Sequence, residues 1–234
     1  MTEYTKIFNV IVAVDSTYMN ESFWTSVITD YMPFLAQSFQ EMGADVSKRF
    51  VCITRQDDEA RINASLRVIR KHSVLQQFAE TVKGSPCPFD IPAILRFALE
   101  EAEQTPLQGL IIFAASQRQP AKAKALENEI RPLAQRLKAL GVTTFIFDSA
   151  DEHNLVSSHI SGMFGKTALW ANGMHVSFHS GNLRVMYEYM KLIGPVVAAD
   201  LGALKRQSGD LITVHGKHLF RKCLMRLDPG AKKG

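Results

Sequence analysis

Residues 7–19 read IFNVIVAVDSTYM, and the fold follows from this stretch. From Ile7 to Val14 every residue but Asn9 is apolar, so both alternating faces are hydrophobic, and the run ends at Asp15. A strand greasy on both sides belongs inside a parallel sheet whose two faces are covered by helices. The segment behind it supplies the first helix. Phe23, Val27, Tyr31, Phe34, Leu35, Phe39 and Met42 recur at spacings of three and four, and Gly43 stands where a helix stops. Pro33 inside that pattern predicts a kink or a break.

Outward from there the same alternation repeats. RFVCIT (Arg49–Thr54) reads as a second strand, and ARINASLRVI as a further one after the charged turn at residues 55–59. HSVLQQFAETVKG is helical up to Gly84. SPCPFD breaks the chain and opens the helix IPAILRFALEEAEQ, with Asp90 as its cap and Pro92 in its first turn. LQGLIIFAAS (Leu107–Ser116) is a buried strand, residues 122–140 an amphipathic helix closed by Gly141, and VTTFIFDS (Val142–Ser149) the next strand. Beyond it the pattern gives a helix at Leu155–Ala171, a strand at Met174–Ser180, a helix at Leu183–Ile193 and a last unit, LITVHG followed by KHLFRKCLM. The expected architecture is α/β: a doubly wound, mostly parallel sheet of about six strands with helices on both faces, a three-layer sandwich.

Composition excludes several classes. With 234 residues, 46% of them hydrophobic, only 14 Gly, 9 Pro and 3 Cys, the chain is neither disordered, collagen-like nor a disulfide scaffold. No apolar run reaches the length of a membrane span, and MTEYTKIFN lacks a basic start and a cleavage site, so a cytoplasmic protein with reduced Cys52, Cys87 and Cys223 is expected. The net charge of +4 is uneven. Residues 205–234 hold eight basic side chains against Asp210 and Asp228, which leaves residues 1–204 slightly acidic. The chain therefore divides into an α/β domain, 1–204, and a basic C-terminal extension, 205–234. Lys217, Arg221, Lys222 and Arg226 in the extension are the residues that could meet nucleic-acid phosphates; the alternative is a helix docked through Leu219, Phe220, Cys223, Leu224 and Leu227.

Ligands of open α/β sheets gather at the carboxyl ends of the strands, here Asp15–Met19, Ala115–Gln117 and Asp148–Asp151. The pieces around those ends resemble a von Willebrand factor A domain: VIVAVDSTYM in place of its strand and Asp-x-Ser-x-Ser loop, SPCPFDIPAILRFALEEAE in place of its third-helix region, LIIFAASQ for its Leu-Thr-Asp-Gly strand, and LKALGVTTFIF for its helix-Gly-Val-strand unit. The resemblance covers roughly residues 5–180. It implies a divalent cation, usually magnesium, held by hard oxygens with one position open to a partner's carboxylate. Carried over residue by residue, Asp15 and Thr17 keep suitable oxygens, while Met19, Phe89 and Ser116 stand where further ligands belong. A thioether and a phenyl ring do not ligate magnesium. Asp15, Tyr18 and Met19 resemble the loop of the proteasomal ubiquitin-receptor type, in which the metal site is eroded.

Other chemistry is weaker. No Gly-x-Ser-x-Gly elbow surrounds Ser16 or Ser116. His175 and His179 would be too far apart on a strand to share a metal, and His215, His218 and Cys223 lack a second ligand pair. Gly162–Thr167 ends in Gly-Lys-Thr but is one residue short of a phosphate loop, so Lys166 reads as a surface lysine. The expectation is a non-catalytic module that binds another protein through Asp15, Thr17, Tyr18, Met19, Phe89, Asp90, Ser116 and Gln117. No cofactor is expected, with magnesium at Asp15 and Thr17 as the alternative; nucleic acid enters only through the C-terminal segment, and no membrane is involved.

Overall fold

A computed structural model describes residues 6–15, 26–56, 59–69, 71–82, 90–115, 123–149, 155–177 and 182–230. Six strands form one sheet: β1 (Lys6–Val14), β2 (Ala44–Gln56), β3 (Glu59–Ala64), β4 (Gly109–Ala115), β5 (Thr143–Ser149) and β6 (Met174–Ser177). Their spatial order is β3-β2-β1-β4-β5-β6, with every pairing parallel except the β2–β3 hairpin at one edge. The sheet is doubly wound: the chain moves outward from β1 to β2 and β3, then returns to the other side of β1 and continues through β4, β5 and β6.

Both faces are covered, which explains the apolar strands. Val10, Val12 and Val14 face one layer with Phe113, Phe145 and Phe147, while Ile11 and Ala13 face the other with Ile112 and Ile146. On the first layer lie α1 (Met32–Gln40), α2 (His72–Val82), α6 (Leu183–Val197), α7 (Leu201–Arg206) and α8 (Val214–Leu227). The second layer is built by α3 (Ile91–Gln104), α4 (Ala123–Ala139) and α5 (Leu155–Trp170). Phe113 and Phe147 stack at 5.2 Å between ring centroids; Phe147 meets Tyr189 of α6 at 5.8 Å and Phe113 meets Tyr31 at 6.3 Å. Each such pair contributes about 0.5–1.5 kcal/mol beyond the area it buries. This aromatic row ties two helical segments to the middle of the sheet.

The structure refines several expectations. The break at Pro33 takes the form of a π-helical turn, Val27–Tyr31, in which the Met32 N–H bonds back to the Val27 carbonyl. The wide turn lies just ahead of the one residue without an N–H to donate. Strand β2 begins at Ala44 rather than Arg49, because pairing with β1 from Lys6 onward recruits the polar Asp45, Ser47 and Lys48. The final apolar stretch Leu211–Ile212 is a connection, and Thr213 caps α8 by accepting from the Gly216 N–H at 2.9 Å. Helix α6 continues past Ile193 to Val197, with Pro195 inside it. Gly43 and Gly141 end their helices at φ +71° and +78°, a region that favours glycine.

Residue 204 lies inside α7, and Leu204, Leu211, Leu219 and Cys223 share the core layer of Phe145 and Tyr189. The C-terminal segment is thus packed on the sheet's first face through α6. Among the described residues, no helix is long and apolar enough to cross a membrane.

Candidate functional site

The topological reversal falls between β1 and β4, which pair in register from Val10 with Gly109 to Val14 with Phe113. Asp15 follows directly. Its N–H donates to the Phe113 carbonyl at 2.8 Å, so the parallel ladder extends through this residue and fixes it at the carboxyl rim. Asp15 is 1% exposed. The polar side chain is therefore set into the rim, beside the place where β4 gives way to residues 116–122. In a doubly wound sheet the crevice outside these two strand ends is the binding position.

Asp90 stands at the start of α3, and the sequence reading of it as a cap holds. Its Oδ1 accepts from the Ala93 N–H at 2.9 Å, and Pro92 lies in the first turn. Thr17, Tyr18, Met19, Phe89, Ser116 and Gln117 lie outside the described residues.

The metal question turns on the donor set. Asp90 has one carboxylate oxygen engaged in the cap, and Asp15 is the one carboxylate that β1 delivers to the rim. Hydroxyls at Thr17 and Ser116 would add neutral oxygens; Met19 and Phe89 add none. Magnesium binding needs carboxylate charge to offset dehydration of the ion, and of the five positions carried over from the family pattern only Asp15 offers it.

A second rim feature went unassigned in the sequence. Asp148, at the end of β5, is fully buried, and neither of its oxygens has a hydrogen-bond partner among the described residues. His175 Nε2 lies 3.4 Å from Asp148 Oδ2, with the imidazole 6.4 Å from the Phe164 ring. The register that pairs Ile146 with His175 puts both polar groups on the α5 side of the sheet. A histidine on a short strand next to one with Asp as its penultimate residue was the only signal, and it required the β5–β6 register to be read.

The basic helix α8 is held by its own polar joint. Glu188 of α6, fully buried, accepts from the Ile212 N–H at 2.9 Å, the Thr213 N–H at 3.2 Å, the Thr213 hydroxyl and Arg184 Nε at 3.2 Å. Burial pushes the Glu188 carboxyl up, but these donors outweigh it and hold its pKa below the ordinary 4.5. Of the four cations singled out on α8, Lys217 and Arg221 are exposed and Lys222 is half-buried. Arg226 instead turns inward, donating from Nη2 to Thr143 Oγ1 of β5 at 2.9 Å. Cys223 faces the core with Sγ 3.3 Å from Met174 Sδ, so its thiol points away from His218 on the exposed side of the helix. Gly162–Thr167 lies within α5 rather than in a loop, and Lys166 pairs with Glu127 at 2.9 Å on the surface.

The strand order, the reversal at β1/β4 and the helices on both faces define a doubly wound α/β domain. Its architecture is that of the von Willebrand factor A fold. The pilus adhesin SpaC from Lactobacillus rhamnosus GG, in its open conformation, superposes with a TM-score of 0.58 at 11% identity, over 85% of this chain and 31% of that one. A von Willebrand factor type A protein from Catenulispora acidiphila gives 0.51 at 11% identity, over 83% of this chain and 43% of that one. The VWA domain of SpRpn10 gives 0.50 at 12% identity, over 78% of this chain and 94% of that one. This chain thus spans less than half the length of the first two and nearly all of the third. No protein-family model matches the sequence, and no curated protein matches it.

Proposed function

We propose that this chain is a non-catalytic protein-binding module of von Willebrand A type, which contacts its partner at the carboxyl rim of the sheet without a strongly bound metal. The observation that carries this reading is the placement of Asp15: the β1–β4 ladder sets it at the switch point, directly ahead in the sequence of Thr17, Tyr18 and Met19. Aromatic and methionine side chains supply interface energy where a cation would otherwise supply charge. A fold shared with a pilus adhesin supports a binding role. We place the protein in the cytoplasm, a reading supported by the free thiols Cys52 and Cys223, which burial pushes up to about 12 and keeps unreactive.

The test is affinity capture from a cell extract with wild-type protein, Tyr18→Ala, Phe89→Ala and a Lys217→Ala/Arg221→Ala double variant, all matched for melting temperature. The partner is expected to be retained by the double variant and reduced at least about tenfold by either aromatic truncation, the loss of a hot-spot side chain. Capture unaffected by both aromatic truncations, or abolished by the double variant, contradicts the reading.

A further inference from the structure

The amino end of the sheet holds a second feature, remote from the rim. Lys48 of β2 pairs with Val10 of β1, five residues before Asp15, which is roughly 16 Å along the strand. There a cavity of about 500 Å³ opens between α1, the start of β2 and the segment leading into α2. That volume lies within the range of small-molecule sites. Met32, Ala36, Val46, Val68 and Leu75 give it apolar walls. Its charged groups are Lys48 in the wall, Asp45 beside it and Lys71 at the exposed side, with Thr29 and Gln40 as neutral polar neighbours.

Lys48 is the unusual member. It is 5% exposed, and its ammonium donates to one acceptor, the Ile69 carbonyl at 3.3 Å. An ammonium carries three donors, and among the described residues the Ile69 carbonyl is its one acceptor. Burial lowers the Lys48 pKa to about 8, and the Asp45 charge offsets only part of that. A desolvated cation at the wall of a space with apolar sides is stabilised by an anion whose remainder is apolar. Among the described lining residues Lys48 and Lys71 stand against Asp45, a positive balance that suits an anion.

We infer that the cavity between α1, β2 and α2 is a binding site for a small apolar carboxylate, with the carboxylate on Lys48 and the hydrocarbon against Met32, Val46 and Leu75. The acid enters past Lys71, and the site operates independently of the carboxyl rim.

Octanoate and octan-1-ol serve as probes, each titrated into the full chain by calorimetry and by chemical-shift mapping. Octanoate is expected to bind saturably at least about tenfold more tightly than the alcohol, since charge-assisted hydrogen bonds are the strong ones. Lys48→Met should remove that preference, and Ala36→Phe, which keeps the lysine and fills the space, should abolish binding of both probes. No saturable octanoate binding to the wild type, equal affinity for acid and alcohol, or an unchanged preference in Lys48→Met overturns the assignment. If Lys48→Met fails to fold, the wild-type comparison and Ala36→Phe decide the matter alone.

Discussion

At Gly216 a side chain has no room: a Cβ there would lie 2.0 Å from Glu188 Oε2. The first turn of α8 therefore rests directly on the carboxylate that gathers the Ile212 and Thr213 amides. Gly216→Ala is expected to cost about 1–3 kcal/mol, the usual penalty of overpacking, read as a lower melting temperature. The same carboxylate gives a pH dependence of known sign. Because the folded-state pKa of Glu188 lies below the ordinary 4.5, its contribution is present above that value and is lost as pH falls through the folded one. Wild type should lose stability on acidification below about pH 4.3 more steeply than Glu188→Gln, in melts run from pH 7 to 3. Sequence pattern identified α8 and its apolar side, but not this joint: Glu188 lies in a helix of otherwise ordinary pattern, and the amides it gathers come from residues 24 and 25 positions away. Asp90 was legible because a cap is local, and Asp148 with His175 was not, because their approach depends on strand register.

Elements were read more fully than residues. The apolar stretches behind β1, β4 and β5 are continuous since helices cover both faces, so period and length identify them without tertiary information. Where neighbours decide, the pattern falls short. The start of β2 carries Asp45, Ser47 and Lys48, polar residues that a strand template rejects but that pairing with β1 enforces. Helix α6 outruns its expected end, and Gly194 lets it approach α1. A Cβ at 194 would sit 2.6 Å from Ser38 Oγ and 2.8 Å from the Ser38 carbonyl. Gly194→Ala should part α1 from α6 and lower the denaturant midpoint, while Gly162→Ala in α5, where a Cβ meets nothing within 4 Å, should leave it unchanged or raise it. Equal midpoints for the two variants would refute the close packing of α1 on α6.

Across the whole molecule, two ends of one sheet carry different chemistry. The carboxyl rim holds Asp15 at the switch point, while the amino end holds the Lys48 cavity. The von Willebrand A architecture was legible from the order of parts; the partner was not, because interface identity is not encoded in fold. Hydrogen exchange on the captured complex, with and without chelator, tests the central claim most directly. The account predicts slowed exchange within residues 15–19, 86–90 and 116–119, unchanged by EDTA. Protection confined to the outer face of α8, or protection of the rim that vanishes when divalent cations are removed, would contradict it.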